Sequence, residues 1–213
     1  MESSHGHYDA DGQRLGAEAM RRLRRWDVCA IEAGLTGAEI HRVETEFGFQ
    51  FSDDHRVFLA AGLPVNTRPV PRVPGVIYTH PKPWPDWRSD DSATLRRFME
   101  WPVEGVLFDV EHNGFWHDGW EPRPDERAAA LQTARRMLAD VPRMVPIYGH
   151  RYLPAGRGTF GHPVLSMWQT DIIYYGLDLA DYIDREFGGA DVRRARSDGT
   201  PQSTVNFWHD LAD

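Results

Sequence analysis

Residues 147–154, IYGHRYLP, set a histidine and an arginine side by side between two tyrosines. A histidine can carry a proton near neutral pH, and an arginine presents a fixed fork of donors to a carboxylate or phosphate. Treated as one strand over 144–153, the stretch puts Tyr148, His150 and Tyr152 on one face and Ile147, Gly149 and Arg151 on the other. Gln169 and Asp171 form a second polar pair downstream. Asp171 is positioned to orient His150 or to pair with Arg151, though strand alternation disfavours both at once. This chemistry suits a polar network inside the fold, a groove for a ligand or partner, or a catalytic centre, and all three stay open on sequence alone.

Ten histidines raise the question of a metal. The densest set is Asp109, Glu111, His112, His117 and Asp118, with His150 and His162 as further ligands if the fold brings them near. A zinc hydrolase needs about three ligands in fixed geometry and an open position. No HExxH motif occurs, and the spacing of His112 and His117 does not place them on one face of a helix or strand. The expectation is no metal and no cofactor. No Gly-x-Ser-x-Gly elbow occurs either. Cys29 falls in an amphipathic pattern and is expected to be buried and inert. Asp53, Asp54, Asp90 and Asp91 sit where helices begin and read as capping and dipole partners. The glycine link at 156–158 is too short to be a phosphate loop.

The aromatic residues say more. Trp84, Trp87, Trp101, Trp116, Trp120 and Trp168 lie mostly in or beside expected loops, where they can plug a core or form a recognition surface. A cluster built from the loops at 84–87, 115–120 and 148–152 would make a groove. The residues selected for binding are Trp116, Trp120, Tyr148, His150, Arg151, Tyr152, Asp171 and Tyr174.

The elements that must hold these residues follow from periodicity. The first dozen residues are polar and read as mobile. A helical pattern runs from Leu15 to Ala33, with Gly34 as its stop. Thr36 and Glu39 match a capping box for a helix over 35–48. Ser52 starts a third helix ending at Gly62. Seven prolines between 64 and 87 exclude a long helix there, and VIYTH at 76–80 is its one strand-like piece. A short helix through Met99 follows. GVLFDVEH at 105–112 reads as a strand with Val106, Phe108 and Val110 alternating on one face. Residues 125–139 form the clearest helix. Residues 144–154 and 163–169 read as two strands joined by AGRGTFGH, with 170–176 continuing or bending the second. Asp178 caps a final helix to Gly188, and VNFWHDL at 205–211 is a docking turn. The order predicts an α+β fold: N-terminal helices packed on a mainly antiparallel sheet, a helix inserted between strands, and a C-terminal helix. The domain division is 1–34 as an N-terminal polar segment and helix whose membership of the main domain stays open, 35–188 as the main domain and 189–213 as a tail with the docking turn.

Composition narrows the function. Lys and Arg total 24 against 32 Asp and Glu, a formal charge of −8. Binding along a nucleic-acid backbone needs clustered cations, so nucleic acid is not expected. The basic runs at 21–25 and 193–196 read as solvated faces or a polar tail. One cysteine permits no internal disulfide, and no run of 18 apolar residues appears. The expectation is a soluble cytoplasmic protein without a membrane partner.

LTGAEIHRVETEFGFQF and FLAAGLP, within 35–64, resemble the opening of the SUKH superfamily of Smi/Knr-like proteins. WPDWR, WPVEGVLFDVEHNGFW and VPIYGHRYLP followed by GHPVLSMWQTDIIYYGLDLADYIDREF are similar to segments of its actinobacterial-type branch. The resemblance covers roughly 35–188. It departs at Ser52-Asp53-Asp54-His55, where a proline followed by an aromatic or leucine is expected. It implies an α+β fold and a non-enzymatic protein-binding module, most often a toxin-immunity or regulatory protein that occludes its partner. An acidic chain suits a basic toxin. Rival expectations are a small-molecule-binding or hydrolytic enzyme around His150, Tyr152 and Asp171, and a scaffold in cell-envelope growth.

Overall fold

The computed structural model describes residues 5–66, 84–88, 91–188, 201 and 203–212, with side chains described from residue 10 onward. The strand-like piece at 76–80 and the basic run at 193–196 lie outside the described residues. Helix α1 (His5–Trp26) begins earlier and ends sooner than its apolar pattern suggests. The N-terminal residues read as mobile are helical from His5. Asp27, at φ 47, breaks the helix, and β1 (Ala30–Glu32) follows. Cys29 therefore sits half-buried between α1 and β1, rather than inside a helix.

Helix α2 (Gly37–Phe47) has the expected capping box: the Glu39 amide donates to the Thr36 hydroxyl, and the Thr36 amide donates to the Glu39 carboxylate. Two orphan donors are satisfied at once. Ile40, Val43 and Phe47 form its buried stripe. Helix α3 (Asp53–Ala61) starts after Ser52, whose side chain makes no capping bond. Strand β2 (Leu63–Val65) pairs antiparallel with β1.

Residues 105–112 are not a strand. Helix α4 (Ser92–His112) runs through them and through Pro102. Val106, Leu107 and Val110 recur at helical spacing and are buried, while Phe108 faces out. The β-rich composition of the segment lost to this periodicity and to packing against the sheet. A proline inside a helix leaves the carbonyl four residues earlier without its amide donor. Here that carbonyl is Phe98 O, and the Tyr152 hydroxyl donates to it at 3.0 Å.

Helix α5 (Arg127–Leu138) is capped by Glu126. Four strands follow: β3 (Met144–Tyr148), β4 (Arg151–Pro154), β5 (Val164–Trp168) and β6 (Asp171–Gly176). They pair in sequence order as an antiparallel meander. Helix α6 (Leu179–Phe187) is capped by Asp178, and a 3-10 turn spans His209–Leu211.

Two structural expectations fail at the hairpins. Residues 144–153 are not one strand but two strands around a turn at Gly149-His150, with Tyr148 opposite Arg151. Gly149 takes φ 53, which a glycine adopts without a steric cost. Residues 170–176 do not extend β5; the chain reverses at Gln169-Thr170 and pairs back on it.

The meander has a core on each face. Val145, Ile147, Leu153 and Val164 pack with residues of α1, α2, α3 and α6. Met144, Tyr152, Leu165, Met167 and Ile172 pack with α4, α5, Val205 and Trp208. Strand alternation divides the side chains between the two. Helix α1 contributes Ala19, Met20 and Leu23 to the first core.

Candidate functional site: an open aromatic patch

The structure distributes the selected binding residues over four places. Tyr152 is 0% exposed in the second core and bonded to Phe98 O. Burial holds its hydroxyl well above the usual tyrosine range. Its role is to satisfy the helix break at Pro102, so Tyr148, His150 and Tyr152 do not share an aromatic polar face. Tyr148 packs its ring 4.7 Å from Trp84 and 5.2 Å from Phe187. Arg151 lies 3.8 Å over the Tyr175 ring, donates to Ser166 Oγ at 2.8 Å and pairs with Glu186 at 3.3 Å. Its acidic partner is thus Glu186, whereas Asp171 is exposed.

Trp116, Trp120 and Tyr174 meet the C-terminal segment. Trp120 stacks on Phe207 at 6.0 Å and 5°, and Trp116 meets Trp120 edge-on at 5.1 Å. The Tyr174 hydroxyl lies 2.5 Å from His209 Nδ1. Trp208 is fully buried and donates from Nε1 to Pro142 O at 2.7 Å. Ala212 bridges to Ile172 on β6. This aromatic cluster is occupied by the chain itself.

His150 is at the turn end of the sheet, where a second cluster lies open. The His150 ring is 6.1 Å from Trp168, and Trp168 is 5.6 Å from Trp101 on α4. Trp168 is 41% exposed and Ile173 39%. The register, Ser166 opposite Ile173 and Trp168 opposite Asp171, makes Trp168 and Ile173 diagonal neighbours on one sheet face. Phe108 lies seven residues beyond Trp101, on the same side of α4, and is 46% exposed.

The base of this patch is tied down. Asp109, considered above as a metal ligand, accepts from the Thr170 amide at 2.9 Å and its hydroxyl at 2.6 Å, and from Asn113 at 2.5 Å. One carboxylate thereby pins the β5–β6 turn to α4. Gly105 lets the two approach: a Cβ there would sit 2.9 Å from Gln169 Cα. The Met167 amide donates to His150 O at 2.9 Å and ties the β3–β4 turn to β5. Trp101 and Trp168 are therefore presented on a rigid platform, which reduces the ordering cost of binding.

Among the described residues, no group of three or more His, Cys, Asp or Glu side chains is placed to hold a metal ion. No described helix is long and apolar enough to cross a membrane. The sequence marked Trp101 and Trp168 as loop-side aromatics without selecting them. Ile173 and Phe108 were missed, the latter because the strand assignment grouped it on one face with Val106 and Val110, which the helix buries. The helical spacing of Val106, Leu107 and Val110 was the signal for its true direction.

Compared with protein-family models, curated proteins and solved structures, the chain matches none.

Proposed function

We propose that this protein is a non-enzymatic module that binds a partner protein on the patch formed by Trp101, His150, Trp168 and Ile173, and acts by occluding that partner. The observation that carries the reading is the exposure of Trp168 and Ile173 on a base pinned by Asp109. Tryptophans dominate the energetics of many interfaces, and rigid aromatic side chains lose little entropy on binding. The sequence resemblance to SUKH proteins favours a toxin-immunity or regulatory role. A net charge of −8, with Asp171 and Glu100 exposed beside the patch, supports a basic partner such as a toxin. A single cysteine fits a reducing cytoplasm as the place of action.

The test uses a toxin encoded beside this gene, purified and titrated by calorimetry. Wild type should bind and neutralise it, and Trp168→Ala with Ile173→Ala should weaken binding at least thirtyfold with the fold intact, a loss of about 2 kcal/mol. Neither binding nor neutralisation by the wild type would sink the immunity reading. Equal binding by the double variant would move the interface elsewhere.

A further inference from the structure

The sheet face that carries Trp168 and Ile173 already holds one guanidinium. Arg151 stands opposite Ser166, and Ser166 stands opposite Ile173, so the three form one row across β4, β5 and β6. The Arg151 guanidinium carbon lies 3.8 Å from the centroid of the Tyr175 ring, two residues beyond Ile173 on β6. Its Nε donates to Glu186 on α6 at 3.3 Å, and a terminal nitrogen donates to Ser166 Oγ at 2.8 Å. An aromatic ring and a carboxylate thus hold the cation together. The Arg151 and Glu186 side chains are only 11% and 19% exposed, so the chain fills this position itself.

The next row, at the β5–β6 turn, repeats the parts without the cation. Trp168 stands directly opposite Asp171. Directly opposed residues project from one face, with Cβ atoms about 5 Å apart. Trp168 is 41% exposed. Asp171 is exposed and makes no hydrogen bond or ion pair among the described residues. The other charges around the patch are committed or of the same sign. Arg151 is held as above, and Arg97, one turn before Trp101 on α4, donates to Thr94 Oγ1 at 3.1 Å. Glu104 pairs with Arg135 at 3.2 Å. Glu100 is exposed beside Trp101 and adds a second carboxylate.

We infer that Trp168 and Asp171 receive an arginine side chain of the partner, its guanidinium over the indole and hydrogen-bonded to the Asp171 carboxylate. The inference deepens the reading of the patch as a partner-binding surface and rests on it. Tryptophan is the best ring for a cation, and a guanidinium stacks on it while its fork of donors meets a carboxylate. A lysine ammonium is a compact, strongly hydrated charge and matches this pair less well. Ile173, diagonal to Trp168, offers apolar surface to the arginine stem.

The test needs no partner. The full chain is titrated at constant ionic strength with the tripeptide amide acetyl-Gly-Arg-Gly, and the Trp168 indole signal is followed by NMR. The citrulline and lysine counterparts are the controls: citrulline keeps the shape without the charge, and lysine keeps the charge without the planar fork. The arginine peptide should give a saturable shift and bind at least about threefold tighter than either control. Asp171→Asn should weaken it about threefold or more, with thermal unfolding unchanged because the carboxylate is exposed and unpaired. Trp168→Leu, followed at the Ile173 amide, should remove the preference for arginine. No saturable shift, equal binding by either control, or unchanged affinity in Asp171→Asn overturns the arginine site. A peptide that fails to bind leaves the toxin calorimetry as it stands, and a toxin that fails to bind leaves these titrations as they stand, so the two failures are distinguishable.

Discussion

Two aromatic clusters flank the second core, and they differ in what covers them. At the loop end, Trp116 and Trp120 meet Phe207, and His117 Nε2 lies 3.5 Å from Asp210. The chain's own C-terminal segment provides that cover. At the turn end, Trp168 contacts Trp101 on one side and His150 on the other, and remains 41% exposed. Burying a tryptophan removes a large apolar area from water, so a protein that covers one such cluster gains stability from it. One left open, on a base held by Asp109 and Gly105, contributes little to folding and is free to contribute to binding. The same residue type therefore serves stability at one end and recognition at the other.

The sharpest way to break this contrast is to remove the anchor of the covered end. Trp208→Ala deletes a fully buried side chain and its bond to Pro142 O. It should cost about 3–5 kcal/mol in urea unfolding. A loss below about 1 kcal/mol would mean that the C-terminal segment is not part of the folded core. At the open end, Trp168→Ala should change stability by less than about 1 kcal/mol yet cost about 2 kcal/mol or more in partner affinity. Unfolding and calorimetry on one preparation give both values, and a large stability loss here would make the two clusters equivalent.

Tyr152→Phe tests whether the residue between them is core or site. Removing its hydroxyl leaves Phe98 O buried without that donor, which should cost about 1–3 kcal/mol in stability and nothing in partner affinity. A selective effect on binding would return Tyr152 to the functional site.

The smallest effect comes from the first core and is read as a pH slope. His55 is fully buried, both ring nitrogens lack a hydrogen-bond partner among the described residues, and burial lowers its pKa to about 3. Its unfolded value is about 6.5, so between pH 6.5 and 3 the unfolded chain binds the extra proton. The neutral buried ring is compatible with folding above pH 6.5, and stability falls as pH drops through that window. The slope from this group is at most about 1.4 kcal/mol per pH unit. Burial raises the Asp54 carboxyl and gives a slope of opposite sign, so the measured quantity is the difference between wild type and His55→Leu. The variant should lose less stability from pH 7 to pH 5, while the open patch binds as before.

The sequence made much of the scaffold legible because local chemistry governs it. The Thr36–Glu39 box, the Asp178 cap and the apolar stripe of α2 are short-range features, and each appears where its residues stand. The site was less legible. The motif IYGHRYLP looked like one strand with a shared face, yet Gly149 and His150 form a turn that parts Tyr148 from Tyr152. Residues 105–112 carried both a strand-like composition and helical spacing, and only packing against the sheet chose between them. Asp109 had the type of a ligand, and its use as a pin for Thr170 depends on a contact 61 residues along the chain.

By itself, the sequence determined the starts of α2 and α6, the antiparallel α+β class and the acidic charge, since capping, periodicity and composition act within a few residues or over the whole chain. The tertiary structure alone decided which tryptophans are covered and which stay open. That choice depends on where the C-terminal segment lands and which turn α4 holds, and no local pattern encodes the meeting of segments so far apart.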